Sequence, residues 1–261
     1  MRPEDNPGYV EAELLTSLRH KVDAVKQRTW GLLRIGPGGK VLDVGCGPGI
    51  DTVALGRIVG PEGAVLGVDY DPAMIEEARE KARQEGMDGW VRHEQADGFH
   101  LPCADGEFDA ARSERVFQHV ADPSGILAEM IRAVRPGGWI VVADTDWSTL
   151  SFDTPEKDVE WILRRRWIDR FLNGYSGRQL RGMFLRQGLA DVTVEVFPLV
   201  VTDYPTARRM ILMDRVEEEA LAEGKVDAAG LERWRRSLEA ADAEGTFLSS
   251  ANMLVVAGRR V

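Results

Sequence analysis

The chain has 261 residues, 44% of them hydrophobic and 29% charged, with 33 lysines and arginines against 43 aspartates and glutamates, a net charge of −10. This is too apolar for a disordered chain and too varied for a fibrous one, and the length suits one large domain or two of roughly 100–200 residues. The negative charge argues against a nucleic-acid partner, which needs a basic face, and no stretch approaches the roughly 18 apolar residues of a membrane span.

Two cysteines, Cys46 and Cys103, are too few for a disulfide framework or a four-thiolate zinc site. The first eight residues carry no apolar core of a signal peptide. A cytoplasmic protein without a metal is expected.

In chain order, residues 9–34 set Leu14, Leu18, Val22, Val25, Thr29 and Leu32 at helical steps, ended by Ile35-Gly36-Pro37-Gly38-Gly39. Lys40-Val41-Leu42-Asp43-Val44 is a short strand running into glycines, followed by a helix at 51–59. A second strand spans 64–69. Asp71 then caps, and Pro72 opens, a helix that ends near Gly86. Strands follow at 91–96 and 108–113. A helix at 124–134 is stopped by Arg135-Pro136-Gly137-Gly138 before a fifth strand at 139–144. Strands alternating with helices at crossover spacing over 40–145 signal a parallel sheet covered on both faces.

After Asp144 the alternation stops. A helix at 155–173 is apolar on more than one side, and another spans 178–187. A strand at 192–202 precedes two helices at 205–223 and 227–244, the second with a Leu231, Trp234, Leu238 and Ala241 stripe, and a strand at 252–258 closes the pattern. That stripe suits packing, dimerisation or substrate contact equally, so a homodimer is one expectation. No linker divides the chain. One domain over 1–261 is expected, with a helical lid at 1–36, a cofactor core at 40–145 and a substrate-side half at 146–261. That half carries a helical insertion at about 203–245.

The segment Val41-Leu42-Asp43-Val44-Gly45-Cys46-Gly47-Pro48-Gly49 carries the most chemistry. Glycines between a strand and a helix allow a sharp turn and close approach of a ligand to the main chain. The dinucleotide pattern G-x-G-x-x-G fails, because Ile50 and Thr52 stand where its third glycine would be, and no Gly-Lys-Ser/Thr follows to make a P-loop. The spacing is G-x-G-x-G. Twenty residues after Gly49, Asp69 ends the second strand, where a carboxylate can accept from both ribose hydroxyls.

Residues 41–49 resemble motif I of the class I S-adenosylmethionine-dependent methyltransferases. The run Val65–Met74 resembles the family's second strand with its ribose-binding acid, and Gln95–Pro102 the segment that meets the adenine amino group. Phe108–Val120 resembles its fourth strand and following loop, and Leu127–Trp139 its last helix and turn before strand five. The wording is most similar to the ubiquinone/menaquinone-biosynthesis type and related small-molecule methyltransferases of secondary metabolism.

The resemblance implies a Rossmann-like, doubly wound α/β sheet of seven strands in the order 3-2-1-4-5-7-6, the last antiparallel, with helical cap elements. It implies S-adenosylmethionine as cofactor. Gly45, Cys46, Gly47 and Gly49 would line its methionine half and ribose. Asp69 would hold the ribose hydroxyls, with Tyr70 and Met74 against the adenine. Asp97 would read the adenine amino group, with Ala96, Gly98 and Phe99 around the ring. Ser113 would lie near the methionine portion, and Gln118 would reach its carboxylate.

Methyl transfer needs the nucleophile, methyl and sulfur held in line, and an oxygen or nitrogen nucleophile can also need a base. His119, just past strand four, is the candidate catalytic group; its structural alternative is a helix-start histidine. His20, His93 and His100 are expected at the surface. Cys46 has nothing near it in sequence to lower its pKa and is no nucleophile. Asp144, Trp147, Phe152, Trp167 and Tyr175 follow strand five and are expected to line the pocket for a small methyl acceptor, largely apolar or aromatic, methylated at oxygen, nitrogen or carbon. In Arg164-Arg165-Arg166, Glu160 and Asp169 stand at pairing distance on a helix, which reads as a solvated face rather than an anion site. The competing readings are a non-catalytic S-adenosylmethionine-binding sensor or partner subunit, and another alkyl transferase on the same fold. Nucleic-acid methylation is disfavoured, since Ser113-Glu114-Arg115-Val116 stands where DNA amino-methylating relatives carry an Asn/Asp-Pro-Pro-aromatic tetrapeptide.

Overall fold

The computed structural model describes the backbone of residues 19–261 and the side chains from Asp23 onward. Leu14, Leu18, the side chains of His20 and Val22, and half of the expected lid therefore lie outside the described residues. Helix α1 (Arg19–Leu32) leads into β1 (Lys40–Val44), α2 (Ile50–Val59), β2 (Ala64–Asp69), α3 (Pro72–Gln84) and β3 (Val91–Gln95). Then come β4 (Phe108–Glu114), a 3-10 turn at Phe117–His119, α4 (Ser124–Ala133) and β5 (Val134–Phe152). The second half runs α5 (Lys157–Ile168), α6 (Ser176–Arg186), β6 (Ala190–Val201), α7 (Tyr204–Met210), α8 (Met213–Ala222), α9 (Ala228–Ala243) and β7 (Ser249–Arg259).

The strands form one seven-stranded sheet in the order β3-β2-β1-β4-β5-β7-β6. The pairs from β3 through β5 are parallel, and β7 runs antiparallel to both β5 and β6, as expected. Val44 lies opposite Val68 on one side and Ser113 on the other. The carboxyl ends of β1, β2 and β4 thus share one edge, where open α/β sheets place ligands. One face is sealed by α4 and α6, through Leu127, Met130, Leu180 and Phe184, and the other by α1 and α2, through Leu33, Leu55 and Val59. A third core of Leu163, Trp234, Leu238 and Phe247 belongs to the helices α5 and α7–α9 beyond the sheet.

Three elements depart from the sequence reading. Strand β5 is 19 residues long rather than six, because the chain loops out of the ladder twice and rejoins it. Pairing jumps from Phe108↔Val134 to Ala110↔Trp139, which ejects the Pro-Gly-Gly turn without ending the strand, and again between Asp146 and Ser151. The helix expected at 155–173 stops at Ile168, and the following turn folds back so that Asn173 N donates to Gln118 O at 3.0 Å. The helix expected at 205–223 is broken at Leu212, whose φ of 48° is left-handed. The break lets Ala207 and Ile211 on one side, and Met213 and Val216 on the other, enter the same core. Leu231, Trp234 and Leu238 are buried in that core too, so the stripe on α9 serves packing within the chain.

Candidate active site

The glycine loop works as its sequence demands. Gly45, Gly47 and Gly49 have φ of 73°, 52° and 77°, a region that side-chain-bearing residues rarely adopt. The three have different neighbours. A Cβ on Gly45 would stand 2.1 Å from Val116 Cγ2, and one on Gly49 would stand 2.8 Å from Ala78 Cβ. Among the described residues, nothing lies within 4 Å of the same position on Gly47. Gly45 and Gly49 thus admit protein, whereas Gly47 leaves an open cradle.

Asp69 braces this loop. Its carboxylate accepts from Gly47 N at 2.8 Å and from Asp71 N at 2.9 Å. Burial raises its pKa in spite of those donors. Asp71 caps α3 by accepting from Ala73 N at 2.8 Å. Beside Asp69, Tyr70 and Phe99 are exposed aromatic rings, Met74 is buried, and Asp97 accepts from Phe99 N at 3.0 Å. Gly98 lies against Ile126, and Ala96 N donates to Asp69 O at 3.0 Å. The Cys46 side chain packs inward on Gly67, with its thiol donating to Gly47 O at 3.6 Å. Burial and the Asp43 and Asp69 carboxylates push its thiol well up, which removes it as a nucleophile. Ser113 is buried at the end of β4, and its Oγ has no hydrogen-bond partner among the described residues.

Under the loop lies a charge cluster that the sequence reading missed. Arg112 contacts Asp43 at 3.3 Å, Asp51 at 3.1 Å and Glu114 at 2.6 Å, while Lys26 of α1 contacts Asp51 at 2.5 Å and Glu114 at 3.0 Å. Trp30 also donates to Asp51, at 3.0 Å. Burial opposes ionisation of Asp51, but Arg112 and Lys26 hold its carboxyl well below the usual range. Burial instead dominates at Asp43 and raises it. The signal was available: two charged residues in a central strand must find partners.

At the edge formed by β4 and β5, four aromatic rings meet. Trp147 stacks on Phe171 at 5.2 Å and 13°, Trp167 meets both edge-on, and His119 lies 5.7 Å from Phe171. The second excursion of β5 turns Trp147 into this group. Gln118 spans it: Trp147 Nε1 donates to Gln118 Oε1 at 2.8 Å, and Gln118 Nε2 lies 3.0 Å from His119 Nε2. Asp144, fully buried below, accepts from Gln118 N at 3.0 Å and Thr145 N at 2.9 Å. Burial pushes its pKa up to about 7 despite those donors.

Residues 35–166, just over half of the chain, match the family described as a methyltransferase domain. The chain belongs to the class I S-adenosylmethionine-dependent methyltransferases. It is 38% identical over 84% of its length to an uncharacterised 37.1 kDa protein of transposon TN4556 from Streptomyces fradiae, of which it covers 62%. It is 35% identical over 47% of its length to the ubiquinone/menaquinone biosynthesis C-methyltransferase of Shewanella halifaxensis, of which it covers 46%. The chain thus spans less than two thirds of each of these relatives. In fold it resembles the YcgJ protein of Bacillus subtilis, with a TM-score of 0.62, 20% identity, and coverage of 93% of this chain and 98% of that one.

In this methyltransferase the expected site residues divide. The structure brings Asp144, Trp147 and Trp167 together with Gln118 and His119. Phe152 shares the helical core with Trp167 and Phe171 but meets Trp234, edge-on at 5.3 Å, rather than the His119 group. Tyr175 is also apart: Arg165 Nη1 donates to its hydroxyl at 3.0 Å, and Arg178 lies over its ring. The arginine run is spent within the chain, Arg165 on Asp169, Arg166 on Glu219 and Glu223, and Arg164 on Leu150 O. Glu160 turns inward instead, accepting from Phe152 N at 2.9 Å. His93 is buried rather than solvated, 2.8 Å from Thr52 Oγ1, and burial lowers its pKa to about 4. His100 is exposed, as expected. No helix of the described residues is long and apolar enough to cross a membrane.

Proposed function

We propose that the chain transfers the methyl group of S-adenosylmethionine to a small, largely apolar or aromatic acceptor of secondary metabolism, at oxygen, nitrogen or carbon. The observation that carries this reading is the juxtaposition of an aromatic wall with polar groups, at the same sheet edge as the glycine loop. The residues present fit the donor. Among the described residues, Gly47 leaves the cradle open, Asp69 stands beside it with a carboxylate, and the buried Ser113 hydroxyl has no partner. Asp69 would hold the ribose hydroxyls, Tyr70, Met74 and Phe99 would flank the adenine, and Asp97 would accept from its amino group.

When bound, the donor would supply an electrophilic sulfonium methyl to the acceptor's lone pair or π electrons, with a neutral thioether as the leaving group. The protein's part is alignment and exclusion of water, and positioning of this kind supplies roughly 7–11 kcal/mol in favourable cases. Trp147, part-exposed and backed by the buried Trp167 and Phe171, would give the acceptor an apolar surface, with His119 beside it as the polar group that meets it.

Calorimetry on Asp69→Ala tests the donor site. Loss of hydrogen bonds to a charged group is expected to weaken S-adenosylmethionine binding tenfold or more, from about 1.5–3 kcal/mol. Unchanged affinity would remove Asp69 from the ribose and with it this placement of the donor.

A further inference from the structure

The contacts of Gln118 fix more than its own position. An indole N–H only donates, so Trp147 Nε1, 2.8 Å away, must face the carboxamide oxygen. The reverse orientation would set two donors against each other. With the oxygen so placed, the amide NH2 points at His119 Nε2, 3.0 Å away, and it too only donates. Nε2 must then present a lone pair, and a neutral imidazole with a lone pair at Nε2 carries its proton at Nδ1.

We infer that Trp147 is a positioning residue that, through the Gln118 carboxamide, holds His119 as its neutral Nδ1–H tautomer. The relay is anchored along its length. Trp147 is stacked on Phe171, and its N donates to Gly174 O at 3.1 Å. Gln118 is held at both ends of its main chain, N on Asp144 and O under Asn173 N. Neither side chain can turn without losing a hydrogen bond in a largely buried place, which costs about 1–3 kcal/mol.

The consequence for chemistry rests on the methyl-transfer reading. Nε2, the nitrogen that would serve as a base, is occupied by an N–H donor. A proton arriving there would oppose the amide NH2, and turning the amide to accept it would oppose Trp147. His119 therefore orients the acceptor rather than taking its proton at Nε2. The site suits an acceptor that reacts without such a transfer: an electron-rich carbon, a neutral amine or an oxygen already ionised.

The tautomer is directly readable. Two-bond proton–nitrogen correlation spectra of the full chain, labelled with 15N at histidine and recorded at about pH 8 without donor or acceptor, distinguish the two nitrogens. The His119 signal is assigned by its loss in His119→Asn. The wild type is expected to show an unprotonated Nε2 and a protonated Nδ1. Trp147→Phe keeps a stacking ring but removes the N–H with part of the indole, so the freed amide turns and the Nε2 signal shifts toward the protonated position. Gln118→Glu puts an acceptor opposite both neighbours and should reverse the tautomer. A wild-type ring protonated at Nε2 overturns the inference, as does a folded Trp147→Phe protein whose His119 spectrum is unchanged. The wild-type spectrum decides the case if a variant fails to fold. Because neither donor nor acceptor is present, failure here leaves the methyl-transfer reading standing, and failure to bind the donor leaves the tautomer intact.

Discussion

Beneath the glycine loop, Asp43, Asp51 and Glu114 share Lys26 and Arg112. In the helical half, Glu217 alone receives Arg208, Arg235 and the Trp234 indole. Both sites bury carboxylates among arginines, but they differ in where the cations can go. The Arg112 side chain is 1% exposed and Lys26 5%, so neither can reach water. Arg208 is 19% exposed and Arg235 41%, and each can swing outward if its partner is lost. The first cluster is a closed charge lock that ties α1 to the root of the glycine loop. The second is a buried acceptor that aligns three helices already held by apolar packing.

That contrast predicts a ranking. Arg112→Ala strands buried carboxylates and should cost the most, about 3–5 kcal/mol by chemical denaturation. Glu217→Ala leaves its arginines free to hydrate and loses mainly the indole's acceptor, so about 1–3 kcal/mol is expected. A larger loss for Glu217→Ala would reverse the comparison. Gly45→Ala probes the same region through sterics. Its positive φ and the Val116 methyl 2.1 Å from the new Cβ should cost about 1–3 kcal/mol, whereas Gly47→Ala, with no protein atom in the way, should cost less stability while lowering donor affinity.

The smallest effect tests whether the aromatic edge carries a charge of its own. Asp144 is raised to about 7 from an ordinary 3.8, so the folded state holds its proton more tightly than the unfolded chain. Its contribution is fully present below about pH 4 and is lost as the pH rises through 7. Asp144→Asn should therefore flatten the fall in stability between about pH 4 and 7, measured as melting temperature against pH. An identical slope in both proteins would mean that Asp144 is ionised throughout.

Much of the cofactor half was legible because its determinants are contiguous. Gly45, Gly47 and Gly49 report their own backbone angles, Asp71-Pro72 reports a helix start, and Asp69 follows at a set spacing. The strand order followed from resemblance and matches what the structure shows. The readings that failed involve residues judged by their neighbours in sequence. Pro136 and Gly137 look like the end of an element, yet β5 loops around them because β4 and β7 continue the ladder on either side. Arg112 was passed over inside a strand because two of its three partners come from β1 and α2. Phe152 was grouped with Trp147, five residues before it; both reach the helical core, but the excursion of the strand stacks Trp147 on Phe171 and leaves Phe152 edge-on to Trp234.

The chain's own residues therefore announce where the backbone must turn and where a nucleotide-like ligand can approach, since glycine, proline and hydrophobic period act within a few residues. Long-range contacts set the rest. Trp147 meets Gln118 across 29 positions, and Lys26 meets Glu114 across 88. Hydrogen bonds and ion pairs act over a few ångströms of space, whatever their separation along the chain, so the state of His119 and the lock beneath the glycine loop emerge only once the sheet has brought these segments together.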